Sequence, residues 1–339
     1  MKIYSRDKSK MIQGIAILLM IFHHQFSCEF EHYSLINWIG NAVGVSMLEI
    51  RIGWLGKMCV GLFAFASGYG ICTVLDKQTS VKEVYISILK RVFSFIMMYY
   101  MVVIAFAPIE IYKCHVSPQA ILKAFLVYDN SYKAGWWYVK QYVCMVLLSP
   151  AMYYFLNFKG RGKDFLKSAV ISGILFGVMY GYFKYELSWY LDTFFWYLKI
   201  FFIGMIHSKF HIFSRIANVI SKGNRKVIYG VIMIVFIANL VVRFHLSEGA
   251  ADASMDVFVV PIFVFCASYL MKESRFLMFL GEKSLWLWLV SAGIQQIFEA
   301  EIKLLKSSLI MYLAVLGCSV VIAIVFDWLY KKIKSRICF

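Results

Sequence analysis

About ten stretches of mostly apolar residues, each long enough to cross a bilayer, recur along this chain with only short polar segments between them. They lie near 11–30, 52–75, 92–112, 136–157, 166–183, 189–206, 227–245, 255–271, 280–298 and 308–330. In lipid a backbone N–H or C=O has no water to bond, so such a stretch closes its bonds within itself, as an α-helix. The pattern predicts an all-α integral membrane protein, a bundle of about ten transmembrane helices. Composition agrees: 61% of the 339 residues are apolar and 16% charged, against roughly 45–50% and about 25% in a soluble domain. No internal repeat, low-complexity linker or long polar segment divides residues 1–339, which read as a single membrane domain.

The net charge of +16 gathers in alternate connections. Lys2, Arg6, Lys8 and Lys10 precede the first stretch. Lys77, Lys82, Lys90 and Arg91 follow the second, and Lys159, Arg161, Lys163 and Lys167 follow the fourth. Lys209, Arg215, Lys222, Arg225 and Lys226 follow the sixth; Lys272, Arg275 and Lys283 follow the eighth; Lys331, Lys332, Lys334 and Arg336 close the chain. The opposite segments hold Glu29, Glu31, Glu49, Glu248, Asp252, Asp256, Glu299 and Glu301. Lys and Arg accumulate in cytoplasmic loops, so both termini are expected in the cytoplasm. Basic clusters that alternate in this way form neither an arm nor a one-sided helix, so nucleic acid is not an expected partner. The first stretch is not read as a cleaved leader: it lacks a small-residue cleavage site, and His23 and His24 interrupt it.

Eight cysteines stand singly, with neither a C-x-x-C pair nor zinc-ligand spacing. They read as buried thiols, and no metal is expected; Cys28 and Cys59 fall near the same predicted face, where a disulfide stays open. Trp54, Trp136, Trp137 and Trp189 stand at the ends of apolar stretches, as in an interfacial aromatic belt. There is no G-x-S-x-G elbow, Walker loop, dinucleotide fingerprint or H-E-x-x-H. Ser67-Gly68-Tyr69-Gly70 lies inside an apolar stretch, where small residues suit close helix packing.

Ionisable groups at bilayer depth are costly unless paired or hydrated, which makes His23, His24, Lys57, Lys140, Asp192, Lys199 and Asp327 the residues to explain. Adjacent residues on a helix point about 100° apart, so His23 and His24 cannot share a direction. One is expected to face the bundle interior and the other to bond a backbone carbonyl. Gln13, eleven residues before His24, falls about 20° from it in projection and roughly 16 Å away along the axis. Ile17 and Met20 fill the stripe between them, and Gly14 and Ala16 leave room beside it. The stripe suits a cavity wall; a structural histidine held by a neighbour is the other reading. Lys57 and Lys140 read first as snorkelling side chains and second as site residues. Asp192, Lys199 and Asp327 read as hydrated or structural.

Five ordered stretches resemble the acyltransferase-3 family of bacterial membrane O-acyltransferases. Ile12-Gln13-Gly14-Ile15-Ala16-Ile17-Leu18-Leu19 running on to Phe22-His23-His24 is similar to its opening signature. Val60-Gly61-Leu62-Phe63-Ala64-Phe65-Ala66-Ser67-Gly68-Tyr69 resembles its Phe-rich run. Lys90-Arg91 with Tyr99, Trp137-Tyr138 with Ser149-Pro150, and Phe279-Leu280-Gly281-Glu282-Lys283-Ser284-Leu285 complete the set. The resemblance implies transfer of an acyl group, usually acetyl, from cytoplasmic acyl-CoA to a hydroxyl of a cell-envelope polysaccharide or related glycan, in the bacterial plasma membrane. No permanently bound cofactor is implied; acyl-CoA is the donor substrate. His24 takes the place of the signature histidine, as general base. A hydroxyl is a weak nucleophile at neutral pH, and an imidazole is the side chain best matched to take its proton there. Gln13, Lys90 and Arg91 are the implied donor-binding residues, and His23, Ser67, Tyr69, Trp137 and Lys140 the further site-lining candidates.

Three positions depart from the family pattern. Gln13 stands where the family has Arg, Ser94 where a second Arg is common, and Ser291 where a His is frequent. They leave two alternatives beside the enzyme: a transporter or flippase for an envelope precursor, and an inactive relative that serves as an assembly partner. With no further domain after the last stretch, an enzyme of this kind acts alone or hands its acyl group to a partner. The oligomeric state is not legible.

Overall fold

Serines start several of the helices. Ser5, Ser80 and Ser274 adopt extended backbone and accept hydrogen bonds from the amides of Lys8, Glu83 and Leu277, satisfying donors that a helix start leaves open. The computed structural model describes residues 3–29, 31–128, 133–182, 184–245 and 251–336. Lys2, Glu248 and Cys338 lie outside the described residues, as do the side chains of Trp189, Asp192 and Asp252.

The helices are α1 (Arg6–Phe26), α2 (Leu35–Ala42), α3 (Leu48–Gly56), α4 (Met58–Leu75), α5 (Val81–Cys114) and α6 (Pro118–Phe125). After a 3₁₀ turn at Ala134–Trp136 come α7 (Tyr138–Leu156), α8 (Phe158–Tyr182), α9 (Lys184–Lys209), α10 (Ile212–Ile220), α11 (Arg225–His245) and α12 (Ala251–Leu270). The last four are α13 (Arg275–Glu282), α14 (Ser284–Ile297), α15 (Glu299–Lys303) and α16 (Ser308–Lys334). No strand is present among the described residues. Among the described residues, four segments are long and apolar enough to cross a membrane: Leu48–Leu75, Val81–Cys114, Arg225–His245 and Ser308–Lys334. A fifth is the pair α13 and α14, bent by 72°. α1 and α7 are not among these. They carry Gln13, His23, His24 and Gln25, and Lys140 and Gln141, which lower their apolarity.

The bend between α13 and α14 falls at Lys283, whose ammonium pairs with Asp327 on α16; Lys331 bonds the same carboxylate at 2.8 Å. Asp327 is therefore a structural clamp.

α4 and α9 touch backbone to backbone: a Cβ on Gly68 would lie 1.9 Å from the Phe201 carbonyl oxygen, and one on Gly204 2.2 Å from that of Phe65. Within the Ser67–Gly70 run it is Gly68 that allows the close packing expected there. α1 and α13 approach in the same way, with Gly14 against Leu277 and Gly281 against Lys10. Gly14 thus admits a neighbouring helix and opens no space beside the Gln13–His24 stripe, which corrects the expectation above.

The central helices are packed on all sides, whereas α11 and α16 turn most of their surface outward. Ile234 on α11 and Val321 on α16 stand 68% and 63% exposed. Exposed apolar side chains in such number suit lipid and not water.

Candidate functional site

The C-terminal half of α1 carries adjacent histidines with different surroundings. His23 donates its Nδ1–H to the carbonyl oxygen of Gly53 at 2.8 Å, and its ring meets Trp54 edge-on at 5.7 Å. A carbonyl only accepts, so the proton on His23 is placed at Nδ1 and Nε2 is left as the acceptor of the neutral ring. His24 forms no hydrogen bond to a described residue. A Cβ on Gly135 would lie 3.6 Å from His24 Cε1.

Both imidazoles border a cavity of about 1100 Å³, larger than the roughly 300–1,000 Å³ usual for a small-molecule site. It follows α1 from Gln13 past Met20 and His24 to Gln25, about 18 Å by helix rise. At the Gln13 end it meets Arg91, Phe95, Tyr142 and Ser284. At the far end it reaches Ser27, Cys28, Glu29, Gln295, Glu299 and Lys303. Arg91 is oriented by donating its Nε–H to the Tyr142 hydroxyl at 2.9 Å.

The wall opposite His24 is the 133–137 turn, which is fastened from two sides. Lys133 pairs with Glu110 on α5, each side chain 1% exposed, and its ammonium stands 4.2 Å from the Trp136 ring centroid. Trp136 donates its indole N–H to the Leu289 carbonyl at 3.2 Å, and Trp288 donates to the Gly135 carbonyl at 2.8 Å. Two indoles therefore tie the turn to α14. Glycine at 135 lets it come close: a Cβ there would lie 2.8 Å from the Ala292 Cβ.

Of the residues singled out from sequence, Gln13, His23, His24, Ser67, Arg91, Trp137 and Lys140 all border this one cavity. Lys90 is exposed and outside it. Tyr69 is outside it too, its ring packed at 4.7 Å on Tyr4. Ser291 is buried and donates to the Trp288 carbonyl at 3.2 Å; Ser94 is not part of the lining.

Three expectations are corrected. Lys140 does not snorkel: it is 5% exposed, and its ammonium donates to the Tyr128 carbonyl at 2.7 Å. Trp136 is fully buried, and Trp54 and Trp137 line the cavity, so these three form no interfacial belt. Cys28 and Cys59 are both free, one exposed and the other buried. Lys57 borders the cavity with its ammonium 5.5 Å from the Trp54 ring centroid. Lys199 is exposed on the outer face of α9.

Sequence reading missed Gln25, Gly135, Tyr138, Gln141, Trp288 and Gln295. Three of these, Gln25, Gln141 and Gln295, are neutral amides in apolar stretches, a signal as legible as that of Gln13.

Residues 9–328 match the acyltransferase-3 family, described as an acyltransferase domain. Neither a curated protein nor a solved structure matches the chain.

Proposed function

Because this chain belongs to the acyltransferase-3 family, we propose that it is a membrane O-acyltransferase that moves an acyl group, acetyl in the simplest case, from acyl-CoA to a hydroxyl of a cell-envelope glycan. In this reading the bundle crosses the bacterial plasma membrane about ten times, with both termini in the cytoplasm. Acyl-CoA enters at the Gln13–Arg91 end, and the acceptor waits at the Gln25–Glu299 end. His24 stands between them.

The chemistry follows from that placement. The acceptor hydroxyl gives its proton to an imidazole nitrogen of His24 as its oxygen attacks the thioester carbonyl carbon. The tetrahedral intermediate collapses, the C–S bond breaks, and the ester remains on the acceptor. The imidazolium returns its proton to the leaving thiolate, so CoA departs as the thiol. Arg91 offers a fixed cation to a phosphate. Gln13 keeps hydrogen bonding without charge, which predicts weaker donor binding than an arginine would give.

The observation that carries this reading is the His24 ring, on the wall of a cavity that follows α1 from Gln13 to Gln25, with no hydrogen bond to a described residue. The test is envelope O-acylation in cells with the intact protein, a deletion, His24→Ala or His23→Ala at matched expression. Loss of a general base costs about 10²–10⁴-fold, so His24→Ala is expected to match the deletion. Activity that survives His24→Ala and is lost in His23→Ala moves the base to His23, whose Nδ1–H donates to the Gly53 carbonyl.

A transporter reading draws on the length of the cavity alone. It gains if the deletion changes glycan export and leaves acylation intact. An inactive relative would leave acylation untouched in every strain.

A further inference from the structure

Among the described residues, three that line the cavity carry a buried polar atom without a hydrogen-bond partner: Gln25 on α1, and Tyr138 and Gln141 one helical turn apart on α7. In the α7 pair these atoms are the hydroxyl of Tyr138 and Oε1 of Gln141, on residues 8% and 4% exposed. The amide of Gln141 is set by its other end, where Nε2 donates to Thr193 Oγ1 at 3.1 Å. Buried polar atoms without partners destabilise a protein, so a bound molecule that satisfies them is the natural reason to keep them.

Their position says which molecule. Gly135, just before α7, lies beside His24, and Tyr142, one turn beyond Tyr138, holds Arg91. From Gly135 to Tyr142 is about 10 Å along a helix axis, and Tyr138 and Gln141 fall between. They stand on the way from the cationic end of the cavity to the imidazole, past Trp137, Phe194 and Tyr197.

We propose that Tyr138 and Gln141 bind the pantetheine arm of the acyl donor, Gln141 Oε1 accepting an amide N–H and the Tyr138 hydroxyl donating to an amide or thioester carbonyl. The inference rests on the reading of acyl-CoA as donor and adds the residues that recognise it. Pantetheine carries two amides separated by two methylenes, on the order of 5 Å apart by standard bond lengths. Side chains three apart on a helix begin about 5–6 Å from each other. The spacings agree, and one donor with one acceptor is the pair an amide chain asks for. The aromatic wall covers the methylenes between. A plain hydrocarbon would leave both atoms unbonded.

The test is titration of the purified full chain in detergent with acetyl-CoA, S-acetylpantetheine and the amide-free S-butyl thioacetate. Gln141→Leu and Tyr138→Phe are each expected to weaken S-acetylpantetheine binding by about five- to ten-fold, one lost hydrogen bond apiece, and to change S-butyl thioacetate binding much less. S-acetylpantetheine lacks the nucleotide phosphates, which separates this loss from any contact of Arg91. Tyr138→Phe deletes only an unbonded hydroxyl, so its melting temperature should hold or rise, whereas Gln141→Leu also removes the bond to Thr193 and should lose a little stability. Equal affinities of both variants and the intact protein for S-acetylpantetheine overturn the inference alone. So does a selective loss of N-acetylglucosamine binding, which would give the two residues to the acceptor. A lower melting temperature with no selective loss makes them structural. An intact protein that binds neither acetyl-CoA nor S-acetylpantetheine removes the donor assignment, and this inference with it.

Discussion

Where α4 meets α9, a methyl group on Gly68 would lie 1.9 Å from the carbonyl oxygen of Phe201; on the outer face of α8, one on Gly173 or Gly177 would meet nothing within 4 Å. Charges divide in the same way. Lys133 and Glu110 pair with 1% of each side chain exposed, whereas Lys113 and Glu301 pair at the surface, 31% and 52% exposed. Glycines and ion pairs in the first region set the walls of the cavity. α4 carries Phe63 and Ser67 and α9 carries Thr193 and Tyr197, so the Gly68 contact fixes the distance across the site. Those in the second region decorate surfaces that the site does not touch. Residue type alone does not separate the two: Gly70, two residues from Gly68, also meets nothing within 4 Å.

The largest effect is expected from Gly68→Ala. Backbone cannot yield as a flexible side chain does, so α4 and α9 must part by more than an ångström, and the cost is expected to exceed both the ~1–3 kcal/mol of ordinary overpacking and the loss of a buried ion pair. Size-exclusion profiles in detergent should show little folded protein, with Gly70→Ala indistinguishable from the parent. If both variants fold alike, the division between interior and outer glycines fails. Next comes Lys133→Met, which strands a buried carboxylate and should cost ~3–5 kcal/mol. Adding Glu110→Leu should recover much of that loss in melting temperature. A single variant as stable as the parent would show that water reaches the pair.

The helical class was legible because apolar length is a local property: each of the stretches read from sequence coincides with helix. The pairing of Gln13 with His24 was legible for a similar reason, since both lie on one helix and a rotation of about 20° past full turns relates them. What failed were several inferences that depended on the identity of a second element. Lys140 looks the same in sequence whether its ammonium reaches the membrane surface or a buried carbonyl such as that of Tyr128. Trp136 looks like an interfacial residue until Leu289, over 150 positions later, is seen to accept its proton. Gly14 reads as vacant space until Leu277 fills it. The opposing wall of the site, Gly135 and Trp288, joins two segments equally far apart, and no periodicity within either reports the other.

Gly135→Ala sharpens the comparison, because here the obstacle is a side chain and not backbone. Its methyl would stand 2.8 Å from the Ala292 Cβ, and a shift of a few tenths of an ångström relieves that. The fold should survive, with acylation down by roughly ten-fold, since small misplacements at a reacting centre cost that much or more. Ala292→Gly should restore activity in the double variant. Recovery of neither activity nor geometry would mean that the turn does not face the reaction.

The smallest effect belongs to the surface pair. The hydrogen bond from Lys113 holds the Glu301 carboxyl below the usual carboxylate range. A depressed carboxylate adds stability above its unfolded pKa of about 4.3, and loses it as pH falls through the lower folded value. Glu301→Gln should therefore lower the melting temperature slightly at pH 7, and the gap to the parent should close in acid. Solvent screening keeps the gap small. A loss as large as that of Lys133→Met would place Glu301 with the interior charges, and the exposure of the two pairs would no longer predict their weight.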